Sequence, residues 1–251
     1  MDKGILSGQE LQPGGRRLGR DFFCRDAITV ARELLGKILV HETSVGTIRG
    51  MITETESYMG EEDKGSHTYG GKRTQRTEPM YHQGGTSYVY LIYGMYSCMN
   101  IAAMTEDIPQ AVLIRSVEPA DELSRERMEI LRVCEQESRQ ERRQEREQTS
   151  RQEHEQERRQ EHEQTSRQEH KQKGKVVPVS AAIRKHLADG PGKLCIAMEI
   201  TRQDNDIDMV ESDRFYVTEG ITVLPEQIRE GKRIGIDYAE EAADYLWRFY
   251  L

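Results

Sequence analysis

Residues 135–175 contain no Ala, Val, Ile, Leu, Met, Phe, Tyr or Trp. A segment without apolar side chains has nothing to take out of water, so it adds nothing to a core. Whatever folds must be assembled from residues 18–134 and 176–251, with the charged segment inserted between them. Within the segment EQTSRQEH starts at 147 and returns at 163, a period of 16. Stacked repeats need a buried stripe, and its absence rules out a solenoid. Eleven acidic and eleven basic residues balance, and Glu→Arg pairs four apart recur at 135/139, 147/151, 155/159 and 163/167. Such pairs would support a solvated helix; disorder is the equal alternative for the same composition. The expectation is an inert insertion, with an interaction segment as the rival reading.

The 251 residues allow one large domain or two small ones. No apolar run approaches the roughly twenty residues that span a bilayer, and the first twenty residues lack the apolar centre of a signal peptide. A soluble intracellular protein is expected, in the cytoplasm or nucleoid if bacterial. Residues 1–17, rich in Gly and without periodicity, read as a flexible tail. Cys24, Cys98, Cys134 and Cys195 form no CxxC pair. That argues against a zinc site or a disulfide framework and for buried free thiols. The net charge of −8 argues against a nucleic-acid partner when taken alone. Exposed charges are screened within about 8 Å, however, so the local face matters more than the total.

Asp26 suits the N-cap of a helix carrying Ile28, Val30, Ala31, Leu34 and Leu35, closed by Gly36. KILVHET and GTIRGMITETES, parted by a short turn, read as a β-hairpin. Residues 86–103 and 110–117 are further strand candidates. Ser180 caps a predicted helix over AAIRKHLA, and GPGKLCIAMEI predicts a glycine-rich turn opening another. DRFYVTEG, RIGIDY and YLWRFYL read as strand-like, with a short acidic helix before the last. Strands and helices intermix without a βαβ rhythm, which predicts a single α+β domain.

Three segments could carry chemistry. If 47–58 is a regular strand, Ile48, Ile52, Glu54, Glu56 and Tyr58 share one face. Two carboxylates about 6.6 Å apart at Cα could be a glycosidase-like pair, although such pairs flank the scissile bond from opposite sides. One of them alone could be a general base for water, and spacing does not decide which. A strand emerging into solvent would show the same pattern. YVYLIYGMY, residues 88–96, holds four of the eleven tyrosines; a half-buried strand or an aromatic gripping surface would each use them. Tyr88 and Tyr90 fall on one face and Tyr93 on the other. GPGKL at 190–194 could offer free N–H groups to a phosphate. His67 sits in a polar loop, and Lys72, Arg73 and Arg76 form a small basic one.

In order and spacing, LGRDFF, ARELLGKILV, ETESYMGEEDKGSH, GTSYVYLIYGMYSCMNI, AVLIRSVEP, GPGKLCIAMEI and RIGIDYA…LWRFYL resemble the alkyladenine DNA glycosylase family, the mammalian-type 3-methyladenine DNA glycosylases. The resemblance covers 18–134 and 176–251. It implies one domain with a curved, largely antiparallel sheet flanked by helices, related to the C-terminal domain of formyltransferases. It implies a monofunctional enzyme that flips alkylated purines out of duplex DNA and hydrolyses the N-glycosidic bond, with deaminated and etheno purines as further candidates. No cofactor or metal is implied, and a monomer is expected. Glu56 matches the family's general base. Tyr58, His67 and Tyr90 match residues that line the pocket and stack on the base, and Tyr93 matches the residue that fills the gap in the duplex. Asn100 matches the residue that crowds the exocyclic amine of normal guanine, Arg115 the arginine that helps hold water and backbone, and Gly192 and Lys193 the phosphate contact. Thr77 stands where the family commonly has Asn, and Gly65 where Ala is usual. The rival readings are a non-catalytic binder of damaged DNA and a carbohydrate hydrolase using Glu54 with Glu56.

Overall fold

Helix α2 (Ala27–Glu33) starts where Asp26 accepts the backbone N–H of Thr29, and it buries Ala27, Val30 and Ala31 against a sheet. The computed structural model describes residues 15–92, 94–159 and 179–251. Among them, a four-residue turn of helix, α1 (Arg20–Phe23), precedes α2. Strands β1 (Ile38–Thr43) and β2 (Gly46–Tyr58) then form the expected hairpin. They are followed by β3 (Ser87–Ile92), β4 (Tyr96–Ala103) and β5 (Gln110–Pro119), and later by β6 (Phe215–Thr218), β7 (Arg229–Gly231) and β8 (Arg248–Tyr250). The order is β3-β4-β5-β2-β1-β6, with β8 also paired to β2 and β7 paired to β8. Every pairing is antiparallel, so the architecture is α+β. β2 is the spine: β5 lies along one edge, while β1 and then β8 share the other.

One core cluster draws on both sides of the inserted segment, joining Leu34, Ile52, Ile114 and Met128 to Leu194 and Phe249. The short helices α4 (Ala181–Lys185) and α5 (Pro191–Ala197) contribute Ile183 and Leu194 to it. Helix α3 runs from Glu122 to Arg159 without a break through residue 135. Its first turns are packed, with Ser124 and Met128 fully buried. Residues 141–146 are exposed throughout.

Four sequence readings need correction. Residues 86–103 are two strands, β3 and β4, which pair with Ile92 opposite Tyr96; Gly94 supplies the positive φ of the turn. RIGIDY is a loop: the backbone N–H of Ile234 donates to the Glu56 carboxylate instead of to a ladder, and the guanidinium of Arg233 anchors the segment on Asp63. Of the thiols, Cys98 and Cys195 are buried, but Cys134 is exposed on α3. The fourth concerns the faces of β2. Its pairing with β5 jumps twice, leaving Thr53 unopposed on β2 and Arg115 unopposed on β5. These bulges shift the alternation. Ile52 and Thr55 share the core face, where Thr55 donates to the carbonyl of Ala31 in α2. Glu54 and Glu56 are turned to the other side, away from Ile48 and Ile52.

Candidate active site

The double bulge is what brings the charged residues together. A bulge frees one residue from the ladder and re-aims its side chain, and here that residue is Arg115 on β5. Its Nε donates to Oε1 of Glu54 at 3.1 Å, and its Nη1 lies 3.2 Å from Oε1 of Glu56. Arg248 on β8 also donates to Glu54, at 3.0 Å. Glu56 has no exposed surface, whereas the side chain of Glu54 is 20% exposed. Two carboxylates two residues apart thus sit in different environments.

Glu56 is held from three directions. Besides Arg115, the backbone N–H of Ile234 donates to Oε1 at 2.8 Å and the hydroxyl of Tyr58 donates to Oε2 at 2.9 Å. Burial pushes the carboxyl pKa up, and Arg115 and the two hydrogen bonds pull it back only in part. Oε1 thus carries two donors and Oε2 one. A carboxylate oxygen has two lone pairs, so Oε2 retains room for one more O–H.

Directly above lies a cavity of about 380 Å³, within the range of small-molecule sites. Tyr58, Arg115 and Ile234, the three partners of Glu56, all line it. Glu56 therefore sits one side chain beneath the wall. His67, Tyr88 and Tyr90 form an aromatic side. Nδ1 of His67 is 2.9 Å from the hydroxyl of Tyr88, His67 meets Tyr90 edge-on at 4.6 Å, and the two tyrosine rings are 5.1 Å apart. Burial, helped by the charge of Arg76, lowers the pKa of His67 to about 4, so it is neutral at physiological pH. Asn100, opposite Tyr88 on β4, donates to the Tyr88 carbonyl at 3.2 Å and also lines the cavity.

The mouth is formed differently. The Gly190 N–H donates to the Arg115 carbonyl at 3.0 Å, so GPGKL begins on the bulge itself. Pro191 lines the cavity. A Cβ on Gly192 would sit 3.0 Å from the Tyr96 ring, so any larger residue would require the ring to shift. Lys193 is half-buried and paired with Asp189 at 2.9 Å. Tyr93 lies outside the described residues. Among the described residues no group of His, Cys, Asp and Glu is arranged to hold a metal ion, and no helix is long and apolar enough to cross a membrane.

Sequence reasoning missed the support beneath the site. Arg233 and Asp63 form a fully buried ion pair, with Nη2 to Oδ1 at 2.7 Å. Asp63 also accepts the N–H groups of Met59 and Gly65, and Arg233 donates to the carbonyls of Ser57 and Ala242. This pair clamps the 60–65 loop to the 232–238 loop and fixes the Ile234 N–H on Glu56. Gly65 leaves room for it: a Cβ there would sit 3.0 Å from Nη2 of Arg233. Tyr88 was legible only as sharing a face with Tyr90. Thr77 is buried and donates to the carbonyl of Lys72 at 3.0 Å, bracing the basic loop.

A sequence profile of the methylpurine-DNA glycosylase family matches residues 21–251. Among similar curated proteins, one from Clostridium perfringens is 42% identical over 236 residues, covering 94% of this chain and 95% of its own length. One from Clostridium acetobutylicum is 43% identical over 235 residues, with 94% of each chain covered. One from Clostridium novyi is 39% identical over 240 residues, covering 94% of this chain and 95% of its own. All three bear the name "Putative 3-methyladenine DNA glycosylase". With the profile spanning nearly the whole length and the pocket assembled from the same segments, the chain belongs to the methylpurine-DNA glycosylase family.

Proposed function

We propose that this enzyme extrudes an alkylated purine nucleotide from duplex DNA into the cavity, and that Glu56 activates the water that attacks the sugar C1′ carbon. The same cavity would admit deaminated and etheno purines. The observation that carries the reading is the buried Glu56, raised in pKa and held by three groups that all line one aromatic cavity. A base inside a duplex is out of reach of a carboxylate, so the nucleotide must leave the stack, at a cost of a few kcal/mol. Stacking of the base returns about 1–3 kcal/mol per aromatic contact. Tyr58, His67 and Tyr90 supply those contacts, and Tyr93 fills the gap left in the duplex.

The attacking water gives its proton to Oε2 of Glu56, the oxygen with a lone pair to spare, as its oxygen bonds to C1′ and the C1′–N bond breaks. The electron pair leaves with the base. Arg115 holds the carboxylate and steadies the water. Asn100, fixed by the Tyr88 carbonyl, crowds the exocyclic amine of normal guanine. Water attacks C1′ directly without a covalent imine, so the product is an intact strand with an abasic site. Gly192 and Lys193 contact the phosphates at the mouth, and the enzyme acts as a monomer.

The test is single-turnover base release from a labelled duplex with one hypoxanthine or ethenoadenine, or from alkylated DNA, using wild type and Glu56→Gln. Release by wild type, with loss in the variant and DNA binding retained, is expected. Tight lesion binding by wild type without release would replace the reading with a damage binder.

A further inference from the structure

Helix α3 separates its charges by face. Residues three or four apart share a helix face. Ser124, Met128, Arg132 and Glu135 point at the protein body: the first two are fully buried, and Arg132 donates to the Leu187 carbonyl at 3.0 Å. Continued along the helix, that face carries Arg139, Arg142, Arg143 and Arg146, whereas Glu137 and Glu141 fall on the opposite one and Glu145 on the flank next to Arg142. Glu135 engages Arg139 at 2.6 Å and Arg142 at 3.3 Å, which offsets part of the basic face at its start.

Arg139 marks where this face meets the pocket mouth. Its Nη1 donates to the Tyr96 hydroxyl at 2.9 Å and its guanidinium lies 4.7 Å from the ring centroid. Tyr96 is the first residue after the β3–β4 turn, and its other neighbour is Gly192. Arg146 lies only about 10 Å further along the helix axis, at 1.5 Å per residue. Arg142 and Arg146 are exposed. The chain has a net charge of −8, so attraction to DNA must come from local basic faces.

We propose that Arg142, Arg143 and Arg146 on α3 form a second DNA contact, gripping backbone phosphates of the duplex that flanks the extruded nucleotide. This rests on the reading above that Gly192 and Lys193 contact DNA phosphates at the pocket mouth, where Tyr96 packs against Gly192. Arg139 acts as a positioning residue, tying α3 to the β3–β4 turn. The inserted segment then extends the footprint of the enzyme beyond the lesion.

The test is binding to a lesion-bearing duplex over a range of salt concentrations. Replacing Arg142, Arg143 and Arg146 together by Gln should lower the slope of log K against log salt by about two to three, at about 0.9 per lost phosphate contact. The matching Lys triple should keep the slope. The Gln pair of Glu137 and Glu141, on the far face, should leave it unchanged. Melting curves of each variant separate loss of contact from loss of folding. A wild-type slope in the arginine variant would overturn the proposal, as would affinity changes of opposite sign from the two sets of Gln substitutions, in proportion to the charges removed, at one common slope. Wild-type base release on the same duplex is followed in parallel: its absence overturns the glycosylase reading, a separate failure.

Discussion

The floor of the pocket and its mouth are held by different physics. On the floor, Glu56, Arg115 and Tyr58 sit on paired strands, and Glu56 is bonded through both oxygens. At the mouth, Gly192 and Lys193 lie on a seven-residue helix next to a hairpin turn, and Lys193 pairs with Asp189, the two side chains 44% and 47% exposed. A buried charge network tolerates little movement, because an uncompensated charge in low dielectric is costly. An exposed pair is worth about 0–1 kcal/mol and can exchange its carboxylate for a phosphate. Chemistry is therefore expected to depend on the floor and attraction on the mouth.

The sharpest way to break that division is Glu56→Gln. Losing a general base costs about 10²–10⁴-fold, read as the single-turnover rate, while the dissociation constant for lesion DNA should stay near wild type. Next is Asp63→Asn, which strands Arg233. Breaking a fully buried ion pair costs about 3–5 kcal/mol, a fall in Tm on the order of 10 °C for a chain this size. If Tm holds, the pair is not the clamp described above. Glu54→Gln should slow base release only a few-fold, since Arg115 keeps Glu56; a loss equal to that of Glu56→Gln would restore the two-carboxylate alternative. The smallest effect belongs to Lys193→Gln, which should lower the salt slope of binding by about 1 and leave base release at saturating enzyme within two-fold.

The same contrast explains what could be read from the sequence. Asp26, the periodic apolar residues of α2 and the alternation of β1 and β2 are local signals, and they gave those elements. Glu56 and Tyr58 were visible as neighbours because they are two residues apart on one strand, and the resemblance chose between Glu54 and Glu56. The bulges at Thr53 and Arg115 were invisible, since they arise from how β5 registers against β2. The alternation of Ile234 and Ile236 imitated a strand in RIGIDY; what sets that loop is Asp63, some 170 residues earlier. The turn after Ile92 lacks an Asn-Gly pair, and only Gly94 hinted at it. In α3, the helical spacing of Arg139, Arg142 and Arg146 was present in the sequence, but its meaning depended on where Tyr96 lies.

The pH dependence of the single-turnover rate tests the central claim most directly. Glu56 must be ionised to accept a proton, and burial raises its pKa above the ordinary value of 4.5. Base release by wild type should rise as pH increases through a pKa above that value and then level off. His67, lowered to about 4, is already neutral across this window and should add no limb there. In Glu56→Gln the rising limb should vanish. A limb that persists in the variant, or one that falls at or below the ordinary glutamate range in wild type, would contradict the account.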